Sequence, residues 1–157
     1  MNLSKSAQRV QDAIVAAGCE FSVVELPGST RTAEDSANTI GCELGQIVKS
    51  LIFKGKESCK PILLLVSGKN RVKEKLVAKH LGEKLSKADA DFTREVTGFA
   101  IGGIPPLGHL ETPITFIDED LLEYETVWAA AGTPHAVFSL PASKLPELTN
   151  GQVVQVK

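Results

Sequence analysis

The sequence predicts an α+β fold: a single compact domain in which a strongly curved mixed β-sheet of about seven strands is flanked by helices. Three observations lead to this prediction. The chain has 157 residues, the length of one ordinary domain, so we expect residues 1–157 to form one unit. Strand-like and helix-like segments follow one another without strict β-α-β alternation. Residues 62–67 form a nearly continuous apolar run, which is typical of a strand covered on both faces.

The first 46 residues predict two helices with a strand between them. A helix over residues 4–17 begins at a serine cap, carries an apolar stripe and ends before a glycine. A strand over residues 21–26 follows and stops at a Pro-Gly pair. A second helix over residues 32–41 begins at a threonine with carboxylates in its first turn, and one more turn at 43–46 leads into the next strand.

One lysine stands where a half-buried strand normally carries an apolar residue. Residues 47–54 are rich in β-branched and aromatic side chains and predict a strand. Because strand side chains alternate between faces, Lys49 shares its face with Ile47, Leu51 and Phe53. An ammonium among apolar neighbours is costly to desolvate unless it is paired, which makes Lys49 a candidate functional residue. The alternative is a lysine whose ammonium reaches a nearby surface.

Positive charge is concentrated in the middle of the chain. Between Lys69 and Lys87 there are seven basic residues and two acidic ones, although the net charge of the whole chain is −2. A helical pattern runs through this window from Val72 to about Gly82, with its polar residues outward. Two interpretations stay open: a basic face that attracts a phosphate backbone, or an ordinary solvated helix face.

The second half predicts a short helix, an irregular segment and the remaining strands. The short helix covers residues 89–96. Residues 97–109, the glycine-proline segment, combine four glycines with two prolines and several apolar residues. A turn at 132–134 joins two strands, and a helix opened by proline covers 141–148. The strands are expected at 114–117, 126–130, 136–140 and 152–156.

Composition and motifs exclude several classes of protein. Hydrophobic residues make up 43% and charged residues 23% of the chain, as in ordinary globular proteins. No apolar run approaches the ~20 residues that span a bilayer, and the polar N-terminus has no signal-peptide core, so we expect a cytoplasmic protein without a membrane partner. No GxSxG or Walker motif and no metal-ligand spacing is present, so we predict no metal and no cofactor.

The cysteines and two of the histidines carry weaker signals. Cys19, Cys42 and Cys59 are odd in number and lack C-x-x-C spacing, which favours reduced thiols over a disulfide framework or a zinc site. A catalytic Cys-His pair stays open as an alternative, without local support. His109 follows the glycine-proline segment and is a candidate for the same pocket, whereas His80 is expected on the surface.

Three segments, taken in their order and spacing, resemble a known family. They are Ile47-Val48-Lys49-Ser50-Leu51, the stretch from Gly98 to Gly108 and the stretch from Ala129 to His135. Together they resemble the YbaK/EbsC-type aminoacyl-tRNA deacylases, free-standing relatives of the editing domain inserted in bacterial prolyl-tRNA synthetases. The resemblance covers nearly the whole chain, and its most specific part is the glycine-proline segment. It implies a YbaK-like fold and hydrolysis of the ester between a wrongly attached amino acid and tRNA.

The resemblance also implies site residues and partners. The family's lysine corresponds to Lys49, its GxxxP loop to residues 102–106, and its following strand-turn region to residues 132–135. The implied partners are the acceptor end of an aminoacyl-tRNA and, in addition, prolyl-tRNA synthetase. The substrate-binding residues expected from these segments are Gly102, Gly103, Ile104, Pro105, Pro106, Gly132 and His135. A Gly-Gly-x-Pro turn can also be purely structural, and His135 can equally serve to cap a strand.

Residues 30–32 precede a helix start, where backbone N–H groups favour anions. Thr30 and Arg31 are therefore candidates for contact with the acceptor end, although helix capping explains Thr32 equally well. The expected function is a trans-acting deacylase that removes a small amino acid from tRNA for proline. Two rivals stay open: a non-catalytic tRNA- or RNA-binding module on the same scaffold, and an unrelated small-molecule-binding protein that uses the glycine-proline segment as a lid.

Overall fold

The computed structural model describes residues 3–28 and 32–157. In these residues the chain forms one mixed sheet with helices packed against it, which confirms the predicted fold class. The strands are β1 (Val24–Glu25), β2 (Ile47–Gly55), β3 (Pro61–Ser67), β4 (Leu85–Lys87), β5 (Ile114–Asp118), β6 (Thr126–Ala130), β7 (Ala136–Pro141) and β8 (Gln152–Val154). The α-helices are α1 (Lys5–Ala16), α2 (Ala33–Ile40), α3 (Glu74–Leu81), α4 (Ala90–Thr97) and α5 (Leu145–Thr149). Short 3-10 helices lie at Leu44–Gln46, Glu119–Glu123 and Ala142–Lys144.

The strand order is β1-β7-β6-β2-β3-β5-β8, and β4 pairs with the outer end of β2. The pairs β2–β6, β3–β5 and β5–β8 are parallel, and the other pairs are antiparallel. None of the described helices is long and apolar enough to cross a membrane.

The predicted ends of the first two helices are confirmed because local capping groups fix them. The side-chain oxygen of Ser4 accepts a hydrogen bond from the N–H of Ala7 at the start of α1. Thr32 does the same for α2, and Gly41 ends that helix with a φ of 84°. These signals lie within a few residues of the boundary, so the sequence alone contains them.

Two strand predictions differ from the structure. The expected strand at 21–26 is reduced to the two residues of β1, because the side chain of Gln11 bonds the carbonyl of Phe21 and the N–H of Val23 in place of a neighbouring strand. Strand β4 was not predicted, since its three residues lie in the charged window and show no apolar alternation.

The core lies on both sides of β3, as its apolar run predicts. All seven residues of β3 are buried. Leu63 and Leu65 belong to the apolar cluster that contains Val10 and Ile14 of α1. The alternate residues Ile62, Leu64 and Val66 belong to a second cluster with Val77 of α3. The central strand therefore holds helices to both faces of the sheet.

Strand β2 changes partner part-way along one of its edges. Its pairing with β6 covers Ile47 and Val48, and its pairing with β4 begins at Phe53. Between these points the edge away from β3 meets no strand among the described residues. This leaves an opening in the sheet beside Lys49 and Ser50.

The glycine-proline segment packs against the turn between β6 and β7. The N–H of Gly132 donates to the carbonyl of Gly103 at 2.8 Å, and the N–H of Gly103 donates to the carbonyl of Ala100 at 3.1 Å. A Cβ placed on Gly103 would lie 2.8 Å from backbone atoms of Gly132 and Thr133. Position 103 therefore has room only for glycine.

We expect Gly103→Ala to lower the free energy of unfolding by about 1–3 kcal/mol, because extra atoms in a packed contact force the backbone to shift. Chemical denaturation measures this loss. Gly41→Ala is the control, since a Cβ there meets nothing within 4 Å and introduces only the backbone strain of a positive φ, about 1 kcal/mol. Wild-type stability in Gly103→Ala would contradict the tight contact.

Candidate active site

The opening beside β2 leads into a cavity of ≈ 610 Å³. Its walls come from α2, the central part of β2, the loop after β3, the glycine-proline segment and β6. The lining includes Lys49 and Ser50 of β2, Gly102 and Ile104 of the glycine-proline segment, and Trp128 of β6. A cavity of this size and mixed lining is typical of a small-molecule site.

Lys49 is half-buried in this wall and its ammonium is fixed by a backbone group. The Nζ atom donates a hydrogen bond to the carbonyl of Asn70. Burial lowers the pKa of Lys49; the negative charges of Glu34 and Asp118 act in the opposite direction, and the positive charge of Arg71 lowers it further. An ammonium has three N–H donors, so the contact with Asn70 leaves two for a ligand.

Ser50 is a site residue that the sequence reasoning missed. The N–H of Gly68 donates to the carbonyl of Ile47, and the N–H of Gly55 donates to the carbonyl of Lys60. In an antiparallel pair every second residue turns its main-chain groups toward the partner strand, so the odd-numbered residues of β2, Lys49 included, face β3 in this way. The N–H and C=O of Ser50 therefore point the other way, into the opening, and its buried Oγ has no hydrogen-bond partner among the described residues. The only sign of this role in the sequence was a polar side chain between Val48 and Ile52, its apolar neighbours on the same face of the strand.

The predicted glycine-proline residues divide between the cavity wall and the layer behind it. Gly102, with a φ of 98°, and Ile104 line the cavity. Gly103 lies behind them against Gly132, and its N–H is already bonded to Ala100. Gly102 and Ile104 therefore line the same cavity as Lys49, whereas Gly103 does not.

Of the remaining predicted residues, those that the structure describes lie outside the cavity wall. The carbonyl of Pro105 accepts a hydrogen bond from Nε2 of His109 at 2.6 Å, and Pro106 borders a separate cavity of ≈ 150 Å³. His135 is exposed, and its Nδ1 lies 3.1 Å from the carbonyl oxygen of Gly28. Thr30 and Arg31 lie outside the described residues, so the structure gives no position for them.

The predicted basic window reaches the cavity through two of its members. Lys69 and Arg71 both line the cavity. The ammonium of Lys69 is engaged, because it lies 3.6 Å from a carboxylate oxygen of Glu123 and 5.4 Å from the ring centroid of Tyr124. Arg71 is exposed and places a positive charge at the mouth of the cavity. Glu34 is the one carboxylate among the described lining residues.

The described residues contain no group of three or more His, Cys, Asp or Glu side chains that could hold a metal ion. The hydrogen-bond donors and positive charges that line the cavity come from Lys49, from hydroxyl and main-chain groups, and from Lys69 and Arg71. These groups donate hydrogen bonds and positive charge, so they suit a ligand that is rich in oxygen acceptors.

His109 fastens the glycine-proline segment from behind. A carbonyl can only accept, so Nε2 of His109 carries the proton that bonds Pro105, and Nδ1 is buried without a partner. Burial lowers the pKa of His109, and the bond to Pro105 acts in the opposite direction with smaller effect. The imidazole is accordingly neutral in the folded protein near pH 7.

Known proteins share this fold and sequence. Residues 28–148 match the family described as the aminoacyl-tRNA editing domain. The chain is similar to a candidate trans-editing enzyme for prolyl-tRNA synthetase of known crystal structure, with 48% identity and a TM-score of 0.94 over 99% of each chain. It is 32% identical to the uncharacterized protein YwhH of Bacillus subtilis over 85% of each chain. It is 29% identical to EbsC of Enterococcus faecalis, a candidate Cys-tRNA(Pro)/Cys-tRNA(Cys) deacylase, over 80% of this chain and 76% of that protein.

We expect the stability of the protein to fall as the pH is lowered from about 7 to about 5, partly through His109. Its folded pKa is depressed, so the unfolded chain, with a histidine pKa of about 6.5, takes up the proton first and stability is lost on acidification. Denaturation curves at several pH values measure the slope. The slope should be smaller in His109→Gln than in His80→Gln, a control at an exposed histidine on α3, and equal slopes would contradict this role of His109.

Proposed function

This chain belongs to the aminoacyl-tRNA editing domain family, and from that premise we propose that it is a trans-acting aminoacyl-tRNA deacylase. It hydrolyses the ester of tRNA for proline that carries a wrong, small amino acid. The observation that carries the proposal is the ammonium of Lys49, held by the Asn70 carbonyl in the wall of the cavity that Gly102 also lines. Support for the substrate comes from the names of two relatives, which refer to prolyl-tRNA synthetase and to Cys-tRNA(Pro).

The chemistry requires positioning more than a strong nucleophile. An aminoacyl ester is already labile, and water can attack its carbonyl once the ester is held and the developing oxyanion is stabilised. One well-placed donor at an oxyanion contributes on the order of 3 kcal/mol. Lys49 keeps two N–H donors free of Asn70, and in this proposal they hold the aminoacyl or terminal-ribose end of the substrate.

Main-chain groups around the opening complete the substrate site in this proposal. Ser50, whose buried hydroxyl has no partner among the described residues, lines the same cavity as Lys49. Gly102 presents its backbone to the cavity in a conformation that leaves room for a ligand to approach closely. Water assisted by the neighbouring ribose hydroxyl of the tRNA is the attacking group.

The other predicted residues have supporting roles in the proposal. Ile104 shapes the apolar wall, whereas Gly103, Pro105, Pro106 and Gly132 hold the segment that carries Gly102. His135 is proposed to contact the acceptor end outside the cavity, and Thr30 and Arg31 are also proposed to contact the acceptor end. The proposal further includes a domain that spans residues 1–157, a cytoplasmic location and an encounter with prolyl-tRNA synthetase.

Size sets the limit of selection in the cavity. An apolar pocket discriminates one methylene group by only ~1–3 kcal/mol. Exclusion of proline, the correct amino acid and larger than the one to be removed, therefore depends on the shape of the cavity around Ile104 and Trp128. Alanine, serine, threonine and cysteine esters are the candidates for the substrate. Glu34 lines the same cavity and complements the positive charge of the substrate α-amino group.

A deacylation panel tests the proposal directly. Purified protein is mixed with tRNA for proline charged with alanine, serine, threonine or cysteine, and loss of the ester is measured against buffer. We expect Lys49→Ala to slow hydrolysis on the order of 100-fold, as for loss of one oxyanion donor. We expect Lys49→Arg to lose activity as well, because a planar guanidinium does not replace a compact ammonium.

Lys54→Ala is the matched control, because Lys54 lies at the end of the same strand and contacts the ring of Phe92 outside the cavity. The enzyme proposal fails if no charged tRNA loses its ester faster than in buffer. If the protein then still binds tRNA, the non-catalytic RNA-binding alternative replaces it. Wild-type activity in Lys49→Ala would remove Lys49 from the mechanism and leave the activity standing.

We expect Arg71→Ala to raise KM for charged tRNA with little change in kcat, because an exposed cation at the cavity mouth contacts phosphate rather than the reacting ester. The slope of log KM against log salt concentration should decrease by about one, the change for one lost phosphate contact. Steady-state kinetics at several salt concentrations measure both effects. Lys79→Ala, an exposed cation of α3 that does not line the cavity, is the control. Equal effects of the two substitutions would show a diffuse basic face instead of a contact at Arg71.

A further inference from the structure

We propose that Asp118 and Asn70 form a buried brace that holds the Lys49 ammonium in its working direction, so that both are positioning residues for hydrolysis. The inference rests on the proposed function only where it concerns hydrolysis. The brace joins the ends of β3 and β5 to the side of β2 that borders the cavity.

The inner part of the brace is the carboxylate of Asp118. Its side chain is 1% exposed and accepts three hydrogen bonds from uncharged donors. They come from the N–H of Ser67 at 3.0 Å, the amide Nδ2 of Asn70 at 2.8 Å and the N–H of Asp120 at 3.0 Å. A buried carboxylate with donors on both oxygens is fixed in position.

Asn70 links the carboxylate of Asp118 to Lys49 in the cavity wall. Its residue is 5% exposed, and its amide Nδ2 donates to Asp118 and, at 2.8 Å, to Asp120. Asp120 is itself held by Lys157, whose Nζ lies 2.9 Å from its carboxylate. With its side chain fixed on both carboxylates, Asn70 presents its backbone carbonyl to the ammonium of Lys49.

The brace also explains why a half-buried ammonium is stable with a neutral carbonyl as its hydrogen-bond partner. The charged groups that face Lys49 are Glu34 from α2, Arg71 from the loop after β3 and Asp118 from the end of β5. Burial and Arg71 lower the pKa of Lys49, while Glu34 and Asp118 raise it. The carboxylate of Asp118 therefore favours the charged amine without touching it, which leaves two N–H donors for substrate.

Asp118→Asn is the decisive substitution, because its amide NH₂ would face either the donors of Ser67 and Asn70 or the N–H of Asp120, and the negative charge is removed. We expect kcat to fall by up to about 100-fold, as when a functional group is misplaced, with a much smaller change in KM. We also expect the titration midpoint of Lys49 to move to lower pH, since a group that raises its pKa is gone. The midpoint is measured by NMR on full-length protein with ¹³C-labelled lysines, the signal being assigned through Lys49→Arg.

Glu83→Gln is the matched control. The Glu83 carboxylate accepts hydrogen bonds from the N–H groups of Glu57 and Ser58 at 2.9 and 3.0 Å, far along the β2–β3 hairpin from the cavity. It should lose one charge, while the amide oxygen keeps accepting from both N–H groups, and it should move neither readout. If Asp118→Asn does not fold, Asn70→Ser removes the side-chain bonds while it keeps the carbonyl, and it should lower kcat in the same way.

The outcomes separate this inference from the proposed function. A fall in kcat together with a shifted Lys49 midpoint supports the brace. Wild-type kcat, or a lowered kcat with an unmoved midpoint, overturns it, since general destabilisation would explain the latter. If the wild-type protein hydrolyses no charged tRNA, the proposed function fails and the Lys49 titration alone decides: a shift in Asp118→Asn supports the brace, and no shift overturns it.

Discussion

The candidate site depends on a strand that loses its neighbour on one side for a few residues. Along β2 the edge toward β3 is paired throughout, while the opposite edge passes from β6 to β4 and is unpaired between them. Main-chain N–H and C=O groups left open inside a protein are costly unless water or a ligand satisfies them. The opening at Ser50 therefore requires water or a ligand, and it lies beside a strand, β3, whose seven residues are all buried.

The side chain of Lys49 begins among apolar residues, yet it ends in a charged ammonium. On its face of β2, Leu51 and Phe53 pack into the apolar cluster beneath α3, so the side chain begins in an apolar environment. Its ammonium ends at the cavity, where burial disfavours the charge and the carboxylates of Glu34 and Asp118 favour it. The balance gives an amine that is held in one direction and incompletely solvated. Such a group binds an oxygen-rich ligand with less competition from water than an exposed lysine has.

The sequence predicted those features that local chemistry determines. Caps at Ser4 and Thr32 and the glycine at the end of α2 gave the helix boundaries, and period-two alternation singled out Lys49. The family resemblance, carried by three segments, is confirmed by the editing-domain match over residues 28–148. It also led to Gly102 and Ile104, which the structure places on the cavity wall with Lys49.

Features that depend on tertiary pairing were out of reach. Strand β4 has too few residues for a periodic signal, and β1 is shortened by the side chain of Gln11, which no pattern in the sequence reveals. Ser50 gains its meaning only from the register of β2 against β3 and β6. The link from Asp118 to Asn70 joins the end of β5 to the loop after β3, and composition cannot bring them together.

The parallel pairing of β2 with β6 also bears on how the protein is made. Ile47 lies beside Trp128, so the two walls of the cavity come from opposite halves of the polypeptide. During translation α2 and β2 emerge first and have only local partners until β6 leaves the ribosome. Contacts between such distant residues form late and slowly in folding, because a long loop must close first. A pocket built in this way is complete only after most of the chain has been synthesised, well after Lys49 has been translated.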